Sequence, residues 1–335
     1  MAEYFANGDR LATVFGGSGF VGRYIVQAYA RSGWRVRVAV RRPDLAGFTM
    51  TYGAVGQVQA MQSNVRYPDS VAAAVEGAEI VVNACGIRRE SGRQSFEAVH
   101  AQGAEAIARA AKAAGARAFV LVSGIGSDPG TFNPYIASKA RGEQATRAAF
   151  PEASILRPSI VFGPEDEFFN RFADLARFLP ALPAFAGGTA KLQPVYAADV
   201  ALAAAKAIDG TLKPGVTYDL GGPEIMTLRE AMETALRFAE RKRTITPLPY
   251  FLSRLIAQAT EIASGVSLGL FPAMLTTTRD QVDLLREDNV VSSAATAEGR
   301  TFAGLGIAPR GVETVLPSYM SRFRKTGLYA SNRFA

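Results

Sequence analysis

Between Ala12 and Gly22 the sequence runs ATVFGGSGFVG, and this stretch restricts the fold more than any other. Ala12 to Phe15 is a short apolar run of the kind that forms a buried strand. It breaks into Gly16, Gly17, Ser18 and Gly19. From Phe20 the apolar residues Phe20, Val21, Ile25, Ala28 and Tyr29 recur at the three-to-four spacing of a helix. Strand, bare turn and helix therefore follow one another, with glycines at 16, 19 and 22. Gly16 allows the tight turn, Gly19 lets the backbone approach a diphosphate, and Gly22 lets the helix pack close on the strand. Unpaired N–H groups at the helix start then face the negative phosphates. The bland alternative is a glycine turn that holds nothing, and the strand-to-helix context argues against it.

The segments that follow alternate between apolar strands and helical patterns, the order of an α/β, doubly wound parallel sheet. Trp34 to Val40 reads as the second strand and ends in Arg41-Arg42. An acid at this strand end would bond an adenosine 2′-OH, whereas arginine accommodates a 2′-phosphate. The nearest acid, Asp44, comes only after Pro43, so the pair favours NADP(H) over NAD(H); otherwise both are solvated loop charges. Gly53 to Ala60 is read as a third strand, followed by Ser63-Asn64-Val65, where Asn64 can bond an adenine amino group and Val65 supplies an apolar contact. Val71 to Val75 begins a helix and Glu79 to Asn83 is the fourth strand. After it, Ala84-Cys85-Gly86 are small enough to pass close to the ribose and nicotinamide side of a cofactor. Cys85 reads as a small packed residue, because nothing near it in sequence lowers its pKa. Ser95 to Gly115 is an alanine-rich helix that carries His100, and a structural or cofactor-neighbour role is favoured for it over a catalytic one.

Arg117 to Ser123 is the fifth strand, and beyond it Tyr135-Ile136-Ala137-Ser138-Lys139 forms Y-x-x-x-K. On a helix, positions i and i+4 share a face, which brings the lysine ammonium toward the phenol and the nicotinamide ribose. A nearby cation favours phenolate, so Tyr135 can act as a general acid or base. Ser154 to Val161 is a sixth strand that carries R-P-S-I-V-F-G-P, with Pro158 and Ile160 at its end. Gln193 to Tyr196 and Thr217 to Leu220 are shorter strands, with a helix over Asp199 to Ile208 between them. Thr227 to Arg241 is helical, with Thr227 and Glu230 at the spacing of a capping box. The expected organisation is a dinucleotide-binding core over residues 1–165, to which 190–220 return. A smaller C-terminal α/β lobe takes up 166–335.

Within that lobe Leu248, Phe251, Leu252, Leu255, Ile256, Ala259 and Ile262 form one apolar helical stripe, and Val266 to Leu275 is nearly uncharged. Residues 248–275 either close the lobe's own core or face a membrane interface or larger partner; the sequence leaves both open. The tail from Ser321 to Ala335 is short of acids and holds Arg322, Arg324, Lys325 and Arg333. One cysteine and one histidine exclude an internal disulfide and any cysteine-rich or multi-histidine metal centre, so no metal is expected. The net charge of +7 suits an anionic cofactor, an acidic partner or an anionic membrane surface. No basic helix or aromatic-interleaved basic stretch points to nucleic acid. No uninterrupted apolar window is long enough to span a membrane.

Taken together, G-x-x-G-x-x-G, Y-x-x-x-K and R-P-S-I-V-F-G-P resemble the extended and atypical short-chain dehydrogenase/reductases over roughly residues 10 to 225. Within that superfamily, FPEASILRPSIVFGPEDEFFNRFA at Phe150 to Ala173 and QPVYAADVA at Gln193 to Ala201 resemble a family of complex I subunits. These are the dehydrogenase-like accessory subunits of respiratory complex I (NADH:ubiquinone oxidoreductase), alpha-subcomplex subunit nine type. The resemblance implies a Rossmann-type fold and a tightly bound NADPH with no redox turnover of its own. It also implies contacts to other complex I subunits, with lipid headgroups touching 248–275. The expected location is the cytoplasmic face of a bacterial inner membrane, since no transit peptide is seen, or the matrix side in a mitochondrion. Cofactor contacts are implied for Gly16, Ser18, Gly19, Phe20, Arg41, Arg42, Tyr135, Lys139 and Pro158. Gly17, Gly22, Asn64, Val65, Ala84, Cys85, Gly86, Ser123 and Ile160 complete the expected site. One departure bears on catalysis. Active members carry a Ser or Thr just after the first Ser beyond the fifth strand, and here Gly124 and Ile125 stand there, with Ser127 as the nearest substitute. Loss of such a donor commonly costs on the order of 10²-fold in rate. The competing expectations are a free-standing NADP(H)-dependent reductase or sugar-nucleotide epimerase using Tyr135 and Lys139, and a non-catalytic nucleotide sensor.

Overall fold

The computed structural model describes residues 10–266 and 275–325. The chain opens with β1 (Leu11–Phe15), α1 (Phe20–Arg31), β2 (Arg35–Val40), β3 (Val58–Gln62), α2 (Pro68–Val75), β4 (Ile80–Asn83), α3 (Gln102–Ala113), β5 (Ala118–Val122), α4 (Pro134–Ala149) and β6 (Ser154–Pro158). It continues through β7 (Val161–Phe162), α5 (Phe169–Phe178), β8 (Ala181–Ala184), β9 (Lys191–Leu192), β10 (Val195–Tyr196), α6 (Ala197–Ala205) and β11 (Thr217–Leu220). Then come β12 (Met226–Thr227), α7 (Leu228–Phe238), β13 (Thr244–Pro247), α8 (Tyr250–Val266), α9 (Arg279–Asp283) and three short helices, α10 (Ser293–Ala297), α11 (Val312–Val315) and α12 (Pro317–Met320). Two compact units result. The first takes the chain up to Pro158 with Ala197–Leu220 and Val291–Ala308; the second takes Ser159–Tyr196, Gly221–Val290 and the chain from Pro309.

The first unit is built on a parallel sheet in the order β11-β6-β5-β4-β1-β2-β3. Its central strands β1, β4 and β5 are near-continuous apolar runs because helices cover both faces. On one face Phe15, Val81, Phe119 and Ile155 meet Val71 and Val75 of α2 and Ile107, Ala108 and Ala111 of α3. On the other, α1 packs against α6, and the Tyr29 hydroxyl donates to the Ala204 carbonyl at 2.9 Å. The sheet order reverses direction between β1 and β4, and in such sheets ligands bind beyond the carboxyl ends of the strands at that point. The third strand lies later than the sequence suggests. A 3-10 helix over 47–52 precedes the expected stretch, residues 53–57 of that stretch form bends and a turn, and β3 runs from Val58 to Gln62.

In the second unit, α7 buries Leu228, Ala231, Met232, Ala235 and Leu236, and Thr227 closes its start with the expected reciprocal capping box to Glu230. Two apolar clusters hold this unit together. One gathers Phe162 and Phe169 with Leu316 and Tyr319, and the other gathers Leu175, Leu182, Met232 and Ile245. The open question of the α8 stripe is decided over its described part. Among residues 250–263 of α8, Ser253 and Ala257 are the fully buried ones, whereas Phe251 is 80% exposed, Leu255 54% and Ile262 58%. The apolar stripe therefore does not close the core. Residues 267–274 of the expected partner-facing segment, and Arg333 of the tail, lie outside the described residues.

Candidate functional site

The glycine turn joins β1 to α1 at the switch point. Gly16 has φ +72°, and a Cβ there would lie 3.0 Å from the Ala84 carbonyl oxygen, so the turn is pressed against the start of the 84–86 segment. Its N–H donates to the Ala39 carbonyl at 3.0 Å and its own carbonyl accepts from the Gly19 N–H at 2.9 Å. The three other glycines differ in what they permit. A Cβ on Gly22 would stand 2.1 Å from the Gly16 oxygen, and one on Gly17 would meet Val26 and Val38 at 2.9 Å, so both serve close packing behind the turn. Gly19 is exposed, and a Cβ there would meet only the Gly16 oxygen, at 3.1 Å. Gly19 is also the N-cap of α1, with no side-chain cap and no acid in the first turn. A bare helix N-terminus with its open side formed by an exposed glycine fits a diphosphate. Ser18 and Phe20 flank it, and Arg23 fastens the turn by donating to the Ser18 and Gly19 carbonyls.

At the end of β2 the two arginines take different partners. Arg42 is paired with Asp44 at 2.8 Å, both exposed, while Arg41 donates to the Gln94 side-chain carbonyl. Gln94 belongs to a tight loop closed on Ser91, and the Arg93 carbonyl of the same loop accepts from Arg66. Arg41 and Arg66 are thus drawn to one edge, both tied to the 91–94 loop. The Asn64 side-chain carbonyl is spent on the Arg66 N–H at 3.1 Å, and Val65 packs into the core beside Gly103.

At the end of β4, Asn83 is buried and its side-chain carbonyl accepts the Cys85 N–H at 3.0 Å. A niche of about 10 Å³ is lined by Asn83, Cys85, His100, Leu121, Val122, Ser123 and Lys139. Burial pushes the Cys85 thiol up to about 12, against the opposing pull of Arg41 and Lys139, so it is an inert, protonated thiol. Lys139 reaches the Val122 carbonyl at 3.5 Å, and a Cβ on Gly86 would lie 3.5 Å from its ammonium. Tyr135 stands one turn before it. Its ring meets His100 edge-on at 5.5 Å and Phe96 at 5.6 Å, and Phe96 stacks on His100.

His100 lies in a π-turn, Glu97–Ala101, that precedes α3. Its Nε2 accepts the Ile87 N–H at 3.0 Å, which assigns the proton to Nδ1, 2.8 Å from the Ser138 hydroxyl. Burial, with Lys139 nearby, lowers its pKa to about 3, so the ring is neutral. It ties the segment after β4 to the helix that bears Tyr135 and Lys139.

Ser123 and Ser127 sit in a network that the sequence does not announce. Ser123 donates to Glu143 at 2.5 Å, and Glu143, almost fully buried, holds Arg157 through both carboxylate oxygens. Ser127 donates to the Gly124 carbonyl at 2.8 Å. A Cβ on Gly124 would meet nothing nearer than the Pro158 carbonyl, at 3.9 Å, so packing does not exclude a side chain there. The signal for Glu143 is its spacing, since 135, 139 and 143 are successive i+4 positions on α4. Gln94, Phe96 and Asn83 carry no comparable pattern. Pro158 closes β6 in the first unit. Ile160 falls in the second, where it packs on the cluster around Leu182.

A family model described as NAD(P)H-binding matches residues 16–172. The mitochondrial NADH dehydrogenase (ubiquinone) 1 alpha subcomplex subunit 9 of Arabidopsis thaliana is 32% identical over 320 residues, covering 95% of this chain and 79% of that one. A ceramide reductase of Caulobacter vibrioides is 35% identical over 191 residues, 57% of this chain and 58% of its own. Among solved structures, the NADPH-dependent quinone oxidoreductase QOR2 of Escherichia coli superposes with a TM-score of 0.66 at 17% identity, covering 93% of this chain and 99% of that one.

Proposed function

Because this chain belongs to the family of the complex I alpha subcomplex subunit 9 proteins, and its first half matches an NAD(P)H-binding model, we propose that it serves respiratory complex I as a structural accessory subunit holding NADPH tightly without turning it over. The observation that carries this reading is the fate of the hydroxyls near Tyr135. Ser123 is committed to Glu143, Ser127 to a backbone carbonyl, and Gly124 has no side chain. Tyr135 would have to position a substrate oxygen alone, without the second donor that develops transition-state stabilisation.

The residues that would hold the nucleotide are intact. The Gly16–Gly19 turn and the start of α1 would take the diphosphate, Arg41 and Arg66 the 2′-phosphate, and Tyr135 and Lys139 the nicotinamide ribose. When bound, NADPH brings a hydride that a substrate carbonyl could accept; the chain's own contribution is to bind, orient and shelter it. Preference for NADPH over NADH rests on the arginine edge. The exposed stripe of α8 suits another complex I subunit or the lipid headgroups beside it. Among the described residues no helix is long and apolar enough to cross a membrane. The subunit would lie peripherally, on the cytoplasmic face of a bacterial inner membrane or the matrix face of a mitochondrial one.

The second reading, a free-standing NADP(H)-dependent reductase or epimerase, is favoured by the retained Tyr135 and Lys139 and by the relative named as a ceramide reductase. One experiment separates the two. The tagged chain is drawn from detergent-solubilised native membranes, and its company and nucleotide content are measured. Complex I subunits and one NADPH per chain are expected. A chain that emerges alone and oxidises NADPH with a carbonyl substrate, an activity lost in Tyr135→Phe, establishes the enzyme instead.

A further inference from the structure

The second unit gathers a row of cations that share no residue with the glycine turn. A cavity of about 690 Å³ opens between α7, the loop after it and β13, lined by Pro180, Leu236 and Ile245 on its apolar side and by a row of cations. The cations are Arg229, Arg237, Arg241, Lys242 and Arg243, against one lining carboxylate, Glu233.

The balance of charge is decided by which acids are already spent. Glu233 pairs with Arg229 at 3.1 Å, Glu313 pairs with Arg237, and Glu240 pairs with Arg324 at 3.1 Å. Arg241 and Arg243 are held by neutral groups instead. Arg241 donates to the Phe323 carbonyl at 3.0 Å, and Arg243 to the Ala176 and Lys242 carbonyls, each at 2.9 Å. Carbonyls fix a guanidinium in place without cancelling its charge, and each leaves other N–H donors unused. The backbone contributes to this display. Glu240 takes φ +51°, its N–H donating to the Arg237 carbonyl at 3.1 Å and that of Arg241 to the Leu236 carbonyl at 3.0 Å, which ends α7 and turns residues 241–243 off its axis.

Cations at a helix C-terminus are favoured by its dipole, but that supplies only about half a negative charge against three cations. We infer that this cavity is a binding site for a phosphate-bearing amphiphile, with Arg241, Lys242 and Arg243 on the phosphate and Pro180, Leu236 and Ile245 on the apolar part. The phosphate could come from the headgroup of an anionic lipid or from a soluble phosphate ester. The inference shares no residue with the nucleotide site and stands whether or not that site holds NADPH.

The test uses the full-length chain, with neutral phosphatidylcholine vesicles, the same vesicles carrying phosphatidic acid, and a separate titration with inorganic pyrophosphate in the presence of saturating NADPH, which keeps pyrophosphate off the glycine turn. Binding to the anionic vesicles and not to the neutral ones is expected. It should fall about a hundredfold in the triple variant Arg241→Gln, Lys242→Gln, Arg243→Gln, at roughly fivefold per cation. NADPH binding should be unchanged in that variant. Pyrophosphate binding that the triple variant loses, with vesicle binding that it keeps, assigns the soluble source. Should the triple variant not fold, Lys242→Gln alone removes an exposed cation and should cost about fivefold. The proposal is overturned if the wild type binds neither probe, or if the variants bind both as well as the wild type does.

Discussion

Single residues in the glycine turn divide into those the fold needs and those the ligand needs, and the division can be tested. Gly22 carries the helix past the Gly16 carbonyl, and a methyl group 2.1 Å from that oxygen cannot be absorbed without parting α1 from β1. Gly22→Ala should therefore destabilise the first unit by about 3 kcal/mol or more, in the range of forced overpacking. Gly19 has ordinary extended backbone (φ −71°, ψ 178°), and its added methyl would meet one oxygen at 3.1 Å. Gly19→Ala should cost only about 1 kcal/mol of stability, the size of a weakened N-cap. It should nonetheless weaken NADPH at least tenfold, because the methyl stands where the backbone must meet the diphosphate. Melting temperatures and nucleotide titrations of the two variants measure both halves. Equal nucleotide affinity in Gly19→Ala and wild type would show that no phosphate approaches this turn. The same logic ranks the arginines. Arg42 is already matched by Asp44, so Arg41 is the better partner for a 2′-phosphate, although the two are adjacent in sequence.

At the scale of elements, the π-turn before α3 is the least expected piece and the one with a pH signature. It sets His100 between the Ile87 N–H and the Ser138 hydroxyl, so that one buried ring joins the segment after β4 to α4. In the folded chain its pKa is lowered to about 3 by burial and by Lys139. The unfolded chain takes up that proton from about pH 6.5 downward, and the folded chain does not. Stability from this group is thus fully present above pH 6.5 and is lost as pH falls from there toward 3, at up to about 1.4 kcal/mol per pH unit. Denaturation between pH 7 and 5 should show wild type losing about 2 kcal/mol more than His100→Gln; parallel curves would mean the ring is protonated or exposed in the folded state. The sequence foretold a helix over 95–115 and could not foretell the extra residue per turn, since periodicity in an alanine-rich run is too weak to fix local winding. Strands such as β1, β4 and β5 were legible because burial on both faces demands near-unbroken apolar runs. β3 was less so, since the residues before Val58 mix glycine with polar groups and fold as a turn. On α8 the amphipathic pattern was plain but its direction was not. A stripe reads the same whether it faces a core or a partner, and here the small residues Ser253 and Ala257 are the ones buried. The glycines of the first turn and the Y-x-x-x-K were visible for their fixed spacing, whereas the Ser123–Glu143–Arg157 network joins residues from separate elements that only folding brings together.

For the whole molecule, the decisive fact is that each unit is woven from separated stretches of chain. The first takes its edge strand β11 and the helix α6 from beyond the second unit's opening stretch, and a further piece from 291–308. That last piece is fastened to β11, where Ser292 donates to Asp219 at 2.8 Å and Arg300 to the Thr217 carbonyl at 2.9 Å. A nucleotide held by the first unit therefore stabilises contributions from three regions of the sequence at once. The sole tryptophan, Trp34, reports on that unit alone. It is fully buried at the start of β2, edge-on to Tyr29 at 6.3 Å and under the guanidinium groups of Arg10 and Arg117. With NADPH at a hundred times its dissociation constant, the unit should gain about 2.7 kcal/mol. For a unit of this size, the Trp34 fluorescence transition should then rise by about 5–10 °C. NADH at the same concentration should give a smaller rise, by as much as the arginine edge discriminates. A Trp34 transition that NADPH does not move would mean the glycine turn holds no nucleotide, whatever company the chain keeps.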